Sequence, residues 1–321
     1  MSSAEPGTAD PSAPFQGVIV LGMHRSGASV AAAILAALGH AFGPPGALAT
    51  AAGRAREGVF ERHDIRAAAD ALLASVDADW WRITGFDLAA IPRSERAAAL
   101  RAFRRIVAAF AGRPWAVKEP LLCLLLPLLR EAVPRARILH LYRHPLEVAR
   151  SLRRRFRTPL LAGLALWEAY NSAALEHSRN ADRLFVGYGD LLADPKAAVA
   201  RISAWLAPAG GHSDRQLADA ADAVKSELRR ERAEDRDLRE ALTRSQRWLW
   251  DILTTGAPVE IPSRSPLSAH ALREFESDEA ARRQAEARIA ELTVENEGLR
   301  RERDEARAGA MAAAPAGRRE Q

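Results

Sequence analysis

The feature that most constrains the fold is an apolar run, a glycine-bounded loop and a second apolar run in immediate succession. Residues 17–22 read GVIVLG, a short run rich in β-branched residues that ends at glycine and predicts a fully buried strand. The loop HRSGAS follows, and the apolar stretch behind it predicts a helix over about 28–38 that ends at Gly39. A buried strand that leads directly into an apolar helix is typical of α/β proteins, in which helices cover both faces of the sheet.

Three later segments repeat this alternation of strand and helix. The strands are predicted at 114–117, 137–142 and 183–188, and the helices that follow them at about 121–132, 145–156 and 195–206. Such alternation predicts an α/β fold with a P-loop-like parallel sheet flanked by helices. Right-handed crossovers would place the loops after the strands along one edge of the sheet, where α/β proteins bind ligands.

Composition divides the rest of the chain. Residues 1–15 are rich in Pro, Ser, Ala and Gly and predict a disordered leader ahead of an α/β domain over 16–262. Within that domain the Ala- and Arg-rich stretch 60–110 predicts a helical insertion over the ligand-binding edge. The segment 268–309 is rich in Glu, Arg and Ala without proline and predicts a charged helix, and 310–321 predicts a disordered tail.

The charged segment 268–309 carries a weak seven-residue repeat. Its apolar positions are Ala285, Leu292, Leu299 and Ala306, with Ile289 and Asn296 at the companion position. A short coiled coil with this register would join two copies of the chain into a homodimer. A solvated single helix with charge pairs along its surface explains the same pattern, and the sequence leaves both interpretations open.

Charge and cysteine content exclude several classes of protein. The net charge of +5, from 46 Lys+Arg against 41 Asp+Glu, is too small and too scattered to indicate nucleic-acid binding. The one cysteine, Cys123, excludes an intramolecular disulfide and a cysteine-cluster metal site. No stretch reaches the ~18 apolar residues of a membrane span, and the N-terminus lacks the apolar region of a signal peptide. A cytoplasmic protein is therefore expected.

The loop after the first strand has the spacing of a phosphate-binding loop. Gly22 and Gly27 stand five residues apart, and the hydroxyl of Ser29 follows two residues later. Such glycines let backbone N–H groups surround an anion, and the helix N-terminus adds partial positive charge. The lysine of a nucleoside-triphosphate P-loop is replaced by Ala28, and the cation is Arg25 inside the loop. The loop therefore predicts a site for a single phosphate-sized anion.

A second anion site is predicted behind the strand 137–142. Arg143 stands at the end of this strand, and Pro145 lies in the first turn of the next helix, where its missing N–H costs nothing. Ser151 follows eight residues after Arg143. A guanidinium group and a hydroxyl are both suited to a terminal phosphate.

These two segments together resemble the sulfotransferases, in particular those of bacteria, that use 3′-phosphoadenosine 5′-phosphosulfate as sulfuryl donor. GMHRSGAS (22–29) is similar to the family's 5′-phosphosulfate loop, although Ala28 stands where the family usually has Thr. The pair Arg143 and Ser151 is similar to the family's 3′-phosphate site. The resemblance implies that the donor is held by Gly22, Arg25, Ser26, Gly27, Ala28, Ser29, Arg143 and Ser151.

Three further segments fit the same family, and the resemblance covers roughly 17–255. VKEP (117–120) is similar to its Lys-Asp-Pro, and GVFERHDI (58–65) to its Gly-aromatic-Glu segment. YGDLLADP (188–195) resembles Tyr-Glu-Asp-Leu-x-x-Asp-Pro, which implies that Tyr188 lies near the adenine of the donor. The resemblance implies the donor as a co-substrate, and the sequence requires no metal.

Catalytic roles follow from the chemistry of sulfuryl transfer, an in-line displacement akin to phosphoryl transfer. Arg25 and Lys118 are the candidates for neutralising the charge that develops on the leaving phosphate oxygen. Lysine can also donate a proton, which arginine cannot. Glu61 is the predicted general base, because the family often has Glu or His in the matching segment, and His63 and Glu57 are its rivals.

The acceptor and two other functions stay open at this stage. The acceptor would be a hydroxyl or amine of a small molecule or glycan, such as a carbohydrate or glycolipid; Trp80, Trp81 and Trp115 could stack on a sugar or fill the core. A small-molecule kinase would need a nucleoside triphosphate and Mg²⁺, and the missing loop lysine speaks against it. A catalytically weak scaffold is the other alternative, favoured by Ala28 and by Glu119 in place of Asp.

Overall fold

Four parallel strands form the sheet in the described part of this computed structural model, which comprises residues 17–48, 60–206, 211–224, 241–256 and 260–313. The strands are β1 (Gly17–Leu21), β2 (Trp115–Lys118), β3 (Arg137–Tyr142) and β4 (Arg183–Gly187). Their order is β2-β1-β3-β4, and every neighbouring pair is parallel. The predicted α/β class and parallel sheet are therefore confirmed.

The centre of the sheet is apolar, as expected for parallel strands covered by helices. Strand β1 is buried along its whole length, and its Ile19 lies opposite Val117 of β2 and Ile138 of β3. Gly17 lies against the indole of Trp115, where an added Cβ would come within 2.1 Å of the ring. Glycine at the start of β1 therefore lets the large tryptophan of the edge strand pack against the sheet.

Helices connect and flank these strands in the first of two compact units, Met1–Leu272. They are α1 (Ala28–Ala37), α2 (His63–Ala74), α3 (Arg93–Ala108), α4 (Leu122–Ala132), α5 (Pro145–Phe156), α6 (Leu160–His177), α7 (Tyr188–Ala193), α8 (Pro195–Leu206), α9 (Asp214–Asp222) and α10 (Arg244–Thr255). The helices predicted behind the four strands are present as α1, α4, α5 and α8.

Helix α6 is the largest element that sequence patterns did not predict. It packs against both α4 and α5, and its Trp167 and Tyr170 are fully buried. Because apolar residues occur around its whole circumference, the helix lacks the one-sided periodicity that identifies a surface helix. In the sequence, a helix of this kind is an apolar segment without helical periodicity.

Helix α4 contains an internal proline, Pro127, which lacks the N–H that would bond to the carbonyl of Cys123. The Nδ1 of His177, at the end of α6, lies 3.0 Å from that carbonyl oxygen. Because a carbonyl can only accept, Nδ1–H must be the donor in this contact. The side chain of α6 thus replaces the backbone bond that the proline removes, and α4 remains helical.

The segment 60–110 is mostly helical. It contains α2, a 3₁₀ turn at Leu88–Ala90 and α3, and α3 packs on both α2 and α4. Residues outside its helices reach the loop behind β1: the ring of Trp80 lies 5.1 Å from that of His24. The segment therefore contributes side chains to the edge of the sheet where the strands end.

A long helix, α11 (Pro266–Ala313), spans the boundary between the two units. Ser268 and Leu272 at its beginning are buried in the first unit, and the second unit starts at Arg273. The division between the units thus falls within the helix and not at its first residue.

The helix also continues four residues into the segment predicted as a disordered tail, 310–321. Alanine is the best helix former, and Pro315 is the first strong helix breaker in this stretch. The alanine-rich sequence before it therefore extends the helix to Ala313. Residues 314–321 and the predicted leader 1–15 lie outside the described residues.

Candidate active site

A cavity of about 260 Å³ lies at the carboxyl edge of the sheet, where the loops behind the strands meet. Nine of the predicted site residues line it: Arg25, Gly27, Ala28, Ser29, Glu61, Lys118, Arg143, Ser151 and Tyr188. The side chains of His24 and Phe156, which were not predicted, also line it. Among the described residues, this wall contains four cationic side chains, Arg25, Lys118, Arg143 and Arg154, and one carboxylate, that of Glu61. The charge of the wall therefore favours an anionic ligand.

The loop between β1 and α1 has the backbone of an anion-binding turn. Arg25 and Gly27 both have left-handed backbones, with φ of 68° and 94°. The N–H of Ser26 donates to the carbonyl of Met23 at 3.0 Å, which closes a tight turn. Gly27 caps α1 and has no side chain to bond the first-turn N–H groups, and Ala28 of that turn lines the cavity. Uncapped N–H groups at a helix N-terminus suit a phosphate.

Gly27 is needed for two independent reasons. Its φ of 94° favours glycine, and an added Cβ would lie 2.3 Å from the ring of Tyr188. Tyr188 is the first residue of α7 and is almost fully buried. The loop and the tyrosine predicted near the adenine are therefore packed directly on each other.

Gly22 and Ser26, both predicted to hold the donor, do not belong to the cavity wall. They are buried beneath the loop, where a Cβ on Gly22 would lie 2.6 Å from Ser26 Oγ and 2.9 Å from the carbonyl oxygen of Leu141. Their side-chain positions shape the loop and do not line the site. Sequence spacing cannot separate these two tasks, because both require a small residue at the same place.

Arg143 joins the two predicted anion sites. Its Nε donates to Glu147 at 2.8 Å, its Nη1 donates to the carbonyl of Arg25 at 3.2 Å, and its guanidinium lies 4.6 Å from the centre of the Tyr188 ring. Arg25 in turn donates from Nε to Ser151 Oγ at 3.1 Å. The strand-end arginine and the phosphate loop thus form one connected surface.

Glu147 is a site residue that the sequence reasoning missed. It lies in the first turn of α5 and is buried together with its partner Arg143. A buried carboxylate paired with one edge of a guanidinium fixes the direction of the rest of the group. The i,i+4 spacing of an acid behind the strand-end arginine is the signal that could have identified it.

Lys118 and Glu61 form an ion pair in the cavity wall. Lys118 Nζ donates to Glu61 Oε1 at 2.5 Å, with 4% and 25% of the two side chains exposed. Lys118 is the last residue of β2, and Glu61 lies just before α2. The pair brings together the predicted leaving-group cation and the predicted base. The fold unites residues that are far apart in the sequence.

Glu119 lies next to this pair but outside the cavity wall. It is fully buried, and its Oε1 accepts from Arg66 Nη1 at 3.3 Å. Burial and the charge of Glu61 raise the pKa of Glu119 to about 7, although Arg66 and Lys118 act in the opposite direction. The carboxyl group is therefore partly protonated near neutral pH.

His24 is the second unpredicted residue of the site. Its ring makes edge contacts with Trp80 at 5.1 Å and Tyr170 at 6.0 Å, and its Nε2 has no hydrogen-bond partner among the described residues. Burial, followed by the charges of Arg66, Lys118 and Arg25, lowers the pKa of His24 to about 3. The imidazole is therefore neutral at physiological pH.

The rivals for the base and the tryptophans occupy other places. His63 is exposed and does not line the cavity, and Glu57 lies outside the described residues. Trp81 and Trp115 are buried and fill the core, whereas Trp80 is partly exposed and contacts Phe156 with ring centroids 5.0 Å apart. One of the three tryptophans thus lies near the site.

The histidine pair at the end of β3 has structural contacts. His140 is buried, with Nε2 3.1 Å from Asn171 Oδ1, and burial lowers its pKa to about 4. His144 Nδ1 accepts a hydrogen bond from the N–H of Leu146 at 3.2 Å, which caps α5.

Cys123 is buried in α4, where burial raises the pKa of its thiol to about 12.

Two absences apply to the described residues. None of their groups of His, Cys, Asp and Glu has three or more members that could hold a metal ion. None of the helices in this part of the chain is long and apolar enough to cross a membrane.

Comparison with known proteins places this geometry in a family. The sequence profile of the Sulfotransferase family matches residues 17–208. Sulfotransferase STF9 from Mycobacterium avium is similar in structure, with 17% identity and a TM-score of 0.51 over 78% of this chain and 79% of that chain. No curated protein matches the chain.

Two further solved structures are more distant. The sulfotransferase domain of the Synechococcus PCC 7002 olefin synthase has 16% identity and a TM-score of 0.43, covering 85% of this chain and 98% of that domain. The sulfotransferase domain from the curacin biosynthetic pathway has 14% identity and a TM-score of 0.42, covering 82% and 98%. The profile match extends over more than half of the chain and includes the four described strands and both segments predicted to bind anions, so the chain belongs to the sulfotransferase family.

Proposed function

We propose that the protein transfers a sulfuryl group from 3′-phosphoadenosine 5′-phosphosulfate to a hydroxyl group of an acceptor. The observation that carries the proposal is the connected surface of Arg25, Arg143 and Ser151, in which two hydrogen bonds join the phosphate loop to the strand-end arginine. A donor with phosphates at both its 5′ and 3′ positions needs two anion sites at one cavity.

The residues of the cavity fit such a donor. The 5′ end suits the loop, where Arg25, Ser29 and the uncapped N–H groups of α1 lie together. The 3′-phosphate suits Arg143 and Ser151, because guanidinium and hydroxyl groups both donate to phosphate oxygens. The ring of Tyr188 would border the adenine, as the family resemblance implies. Ala28 removes the hydroxyl contact that the family's usual Thr would supply.

The donor supplies an activated sulfuryl group: the acceptor oxygen bonds to sulfur, the bond from sulfur to the 5′-phosphate oxygen breaks, and adenosine 3′,5′-bisphosphate leaves. Lys118 lines the cavity and would neutralise negative charge on the leaving phosphate, and its ammonium can also donate a proton. Arg25 assists from inside the loop. These cations act most strongly when the charge has developed, so they favour turnover over ground-state binding.

Glu61 is the proposed base that takes the proton of the acceptor hydroxyl. Its carboxylate lines the cavity and bonds through Oε1 to Lys118, so base and cation are held at one point. The ammonium orients the carboxylate, and a proton taken up by Glu61 leaves Lys118 to interact with the leaving group. The two residues therefore act as a unit, and their effects on turnover should not be additive.

Binding of adenosine 3′,5′-bisphosphate without metal tests the proposal. A ligand specific for the native state stabilises it by ~2.7 kcal/mol at a hundredfold excess over its dissociation constant. Thermal unfolding should therefore shift upwards with the bisphosphate, and ATP with Mg²⁺ should produce a smaller shift. A shift with ATP and Mg²⁺ alone would favour a kinase. Bisphosphate binding without sulfate transfer to any hydroxyl acceptor would favour a scaffold.

A further inference from the structure

The α5–α6 corner, residues 153–161, carries a dense group of positive charges. It comprises the last turn of α5, the connection to α6 and the first residues of α6. Acidic residues are absent from the whole stretch 148–167, which contains five arginines: Arg150, Arg153, Arg154, Arg155 and Arg157. The last four of these are exposed. Because a surface patch of one sign attracts ligands of the opposite charge, this corner favours a polyanion.

Three of these arginines have no carboxylate partner. Among the described residues, no ion pair involves Arg153, Arg155 or Arg157. The exposed arginines of α11 differ, because Arg282 and Arg288 each pair with an acid about one turn away. The charges of the three corner arginines are therefore not neutralised within the described part of the chain, and they remain available to a ligand.

Two large apolar side chains are exposed next to these charges. Phe156 and Leu161 leave 41% and 66% of their surfaces accessible, and Arg155 lies 5.2 Å from the centre of the Phe156 ring. The neighbouring Leu160 instead packs against a buried cluster. A single exposed apolar residue is common on protein surfaces. Apolar side chains among unpaired arginines, however, match a membrane surface, whose phosphates are anionic and whose acyl boundary is apolar.

We propose that the α5–α6 corner docks on an anionic lipid membrane. Arg153, Arg155 and Arg157 contact the lipid phosphates, to which a guanidinium can donate two parallel hydrogen bonds. Phe156 and Leu161 enter the boundary between headgroups and acyl chains. Nucleic acid would match the charges, but it offers no apolar boundary to the aliphatic Leu161. An acidic protein would match the charges as well, and the experiment distinguishes it from a membrane.

Docking through this corner would bring the cavity to the membrane. Ser151, Arg154 and Phe156 all belong to α5 and line the cavity, and Phe156 is also part of the docking surface. The proposal concerns the place where the protein binds and does not depend on the reaction that it catalyses. Membrane binding can therefore be measured without donor or acceptor.

Co-sedimentation of the full chain with lipid vesicles tests the proposal. The protein should bind vesicles of phosphatidylglycerol mixed with phosphatidylcholine, and it should not bind vesicles of phosphatidylcholine alone. Because salt screens charges at a surface, added salt should release the protein from the anionic vesicles. Absence of binding to the anionic vesicles at low salt would overturn the proposal.

A triple variant of the unpaired arginines, Arg153→Gln, Arg155→Gln and Arg157→Gln, identifies the docking surface. Glutamine removes the charge and keeps a polar side chain of similar length. Since each arginine near an anionic membrane contributes about fivefold to binding, the variant should bind the vesicles about a hundredfold more weakly. Binding equal to that of the wild type would overturn the role of these arginines.

The matched control is a triple variant of α3, Arg101→Gln, Arg104→Gln and Arg105→Gln. These arginines are also exposed and form no ion pair among the described residues. The control changes the net charge of the protein by the same amount, and its vesicle binding should stay within about threefold of the wild type. An equal loss in both triple variants would show attraction by net charge alone and would overturn the assignment to the corner.

Leu161→Ser tests the apolar contact. It leaves every charge in place and should weaken vesicle binding about fivefold, because a leucine that enters the acyl boundary is removed from water. Leu267→Ser is the matched control, since Leu267 is 70% exposed and lies outside the corner. Unchanged binding of Leu161→Ser would overturn the insertion of apolar side chains.

Soluble polyglutamate separates a membrane from an acidic protein. It should compete only weakly with the vesicles, because it offers charge without an apolar boundary. Binding to polyglutamate that is tighter than binding to the vesicles, and that the corner triple variant loses, would identify an acidic protein as the partner and overturn the proposal. Each variant should unfold at the wild-type temperature, since all the substituted side chains are exposed.

Discussion

The two compact units each contain ion pairs of nearly equal length in very different surroundings. In the first unit Lys118 lies 2.5 Å from Glu61, and 4% and 25% of the side chains are exposed. In the second unit Arg282 lies 2.6 Å from Glu286, and 56% and 59% are exposed. The nitrogen–oxygen distances of the two pairs are thus nearly equal, whereas the exposure of their side chains to water differs. Exposed pairs contribute little because water and salt screen them, and burial makes the loss of one partner costly.

The same contrast holds for the wider arrangement of charges. Arg143 and Glu147 are both buried at the cavity, whereas Arg282 forms i,i+3 and i,i+4 pairs on the surface of α11. A pattern of exposed pairs at helical spacing stabilises a solvated helix and leaves its charges available to solvent. In our proposal the buried charges that line the cavity instead act on a bound ligand. Substitutions that break the two kinds of pair should therefore differ in effect, and the following predictions measure that difference.

The largest effect is expected for Glu61→Gln. The amide keeps the shape of the side chain and cannot take up the acceptor's proton, so sulfate transfer should fall ~10²–10⁴-fold while bisphosphate binding persists. Steady-state transfer and calorimetry measure the two quantities. Glu286→Gln, which breaks the exposed pair, is the matched control and should transfer at the wild-type rate. Normal transfer by Glu61→Gln would make the base assignment wrong and direct the test to His63.

Arg143→Ala should have the next largest effect, on donor binding. The substitution removes a charge-assisted contact to the phosphate and the buried ion pair with Glu147, so bisphosphate affinity should fall by about 1.5–3 kcal/mol, or ~10–150-fold. Lys118→Ala should instead lower turnover more than affinity. Calorimetry on both variants distinguishes the roles. Arg143→Ala binding that equals the wild type would contradict the two-site arrangement of the donor.

The sequence predicted the fold, and it also indicated several residues that the structure brings together at the cavity, because these signals are local. The strands are short apolar runs, and the loop behind β1 and the arginine behind β3 are recognised within about ten residues of sequence. The parallel sheet then brings Arg25, Arg143 and Ser151 together, because all strand ends lie on one edge. The prediction required no knowledge of side-chain packing.

The aromatic part of the cavity wall could not be predicted in the same way because it depends on tertiary contacts. His24 gains its neutral state from burial and from cations on three separate segments, and Phe156 becomes part of the wall only where Trp80 packs on it. Helix α6, which supplies Tyr170, lacks periodicity because it is buried on all sides. Glu61 also lines the cavity, but it was predicted from the sequence because the family resemblance indicated it.

Glu119→Gln tests the difference between buried and exposed charged groups through the pH dependence of the unfolding free energy. Since the pKa of this acid is raised from 4.5 to about 7, its protonated form stabilises the folded state, and that stability is lost as the pH rises from about 4.5 through 7. Between pH 6 and 8 the wild type should lose about 1 kcal/mol of unfolding free energy relative to Glu119→Gln. Urea unfolding at both pH values measures it. Parallel pH profiles of unfolding free energy for the two proteins would show that burial does not raise the pKa of this carboxyl group.

The smallest effect on the active site is expected for truncation after Leu272, which removes the second unit and keeps the buried first turns of α11. Since most of the removed charges that the structure describes are exposed, and none of them lines the cavity, bisphosphate affinity should stay within about twofold of the wild type. The oligomeric state can still change. Ile289, Leu292 and Leu299 leave 64%, 46% and 59% of their surfaces exposed in the single chain.

A coiled coil would bury these side chains between two copies, and Asn296 at a core position would favour a two-stranded, in-register pair at some cost in stability. Light scattering should then report a dimer for the full chain and a monomer for the truncated one. A full chain that is monomeric at working concentration would identify α11 as a solvated helix, whose charge pairs replace a partner. A dimer that survives truncation would place the interface in the first unit. A large loss of bisphosphate affinity would show that the exposed charges of α11 do affect the cavity, which would contradict the comparison between buried and exposed charges.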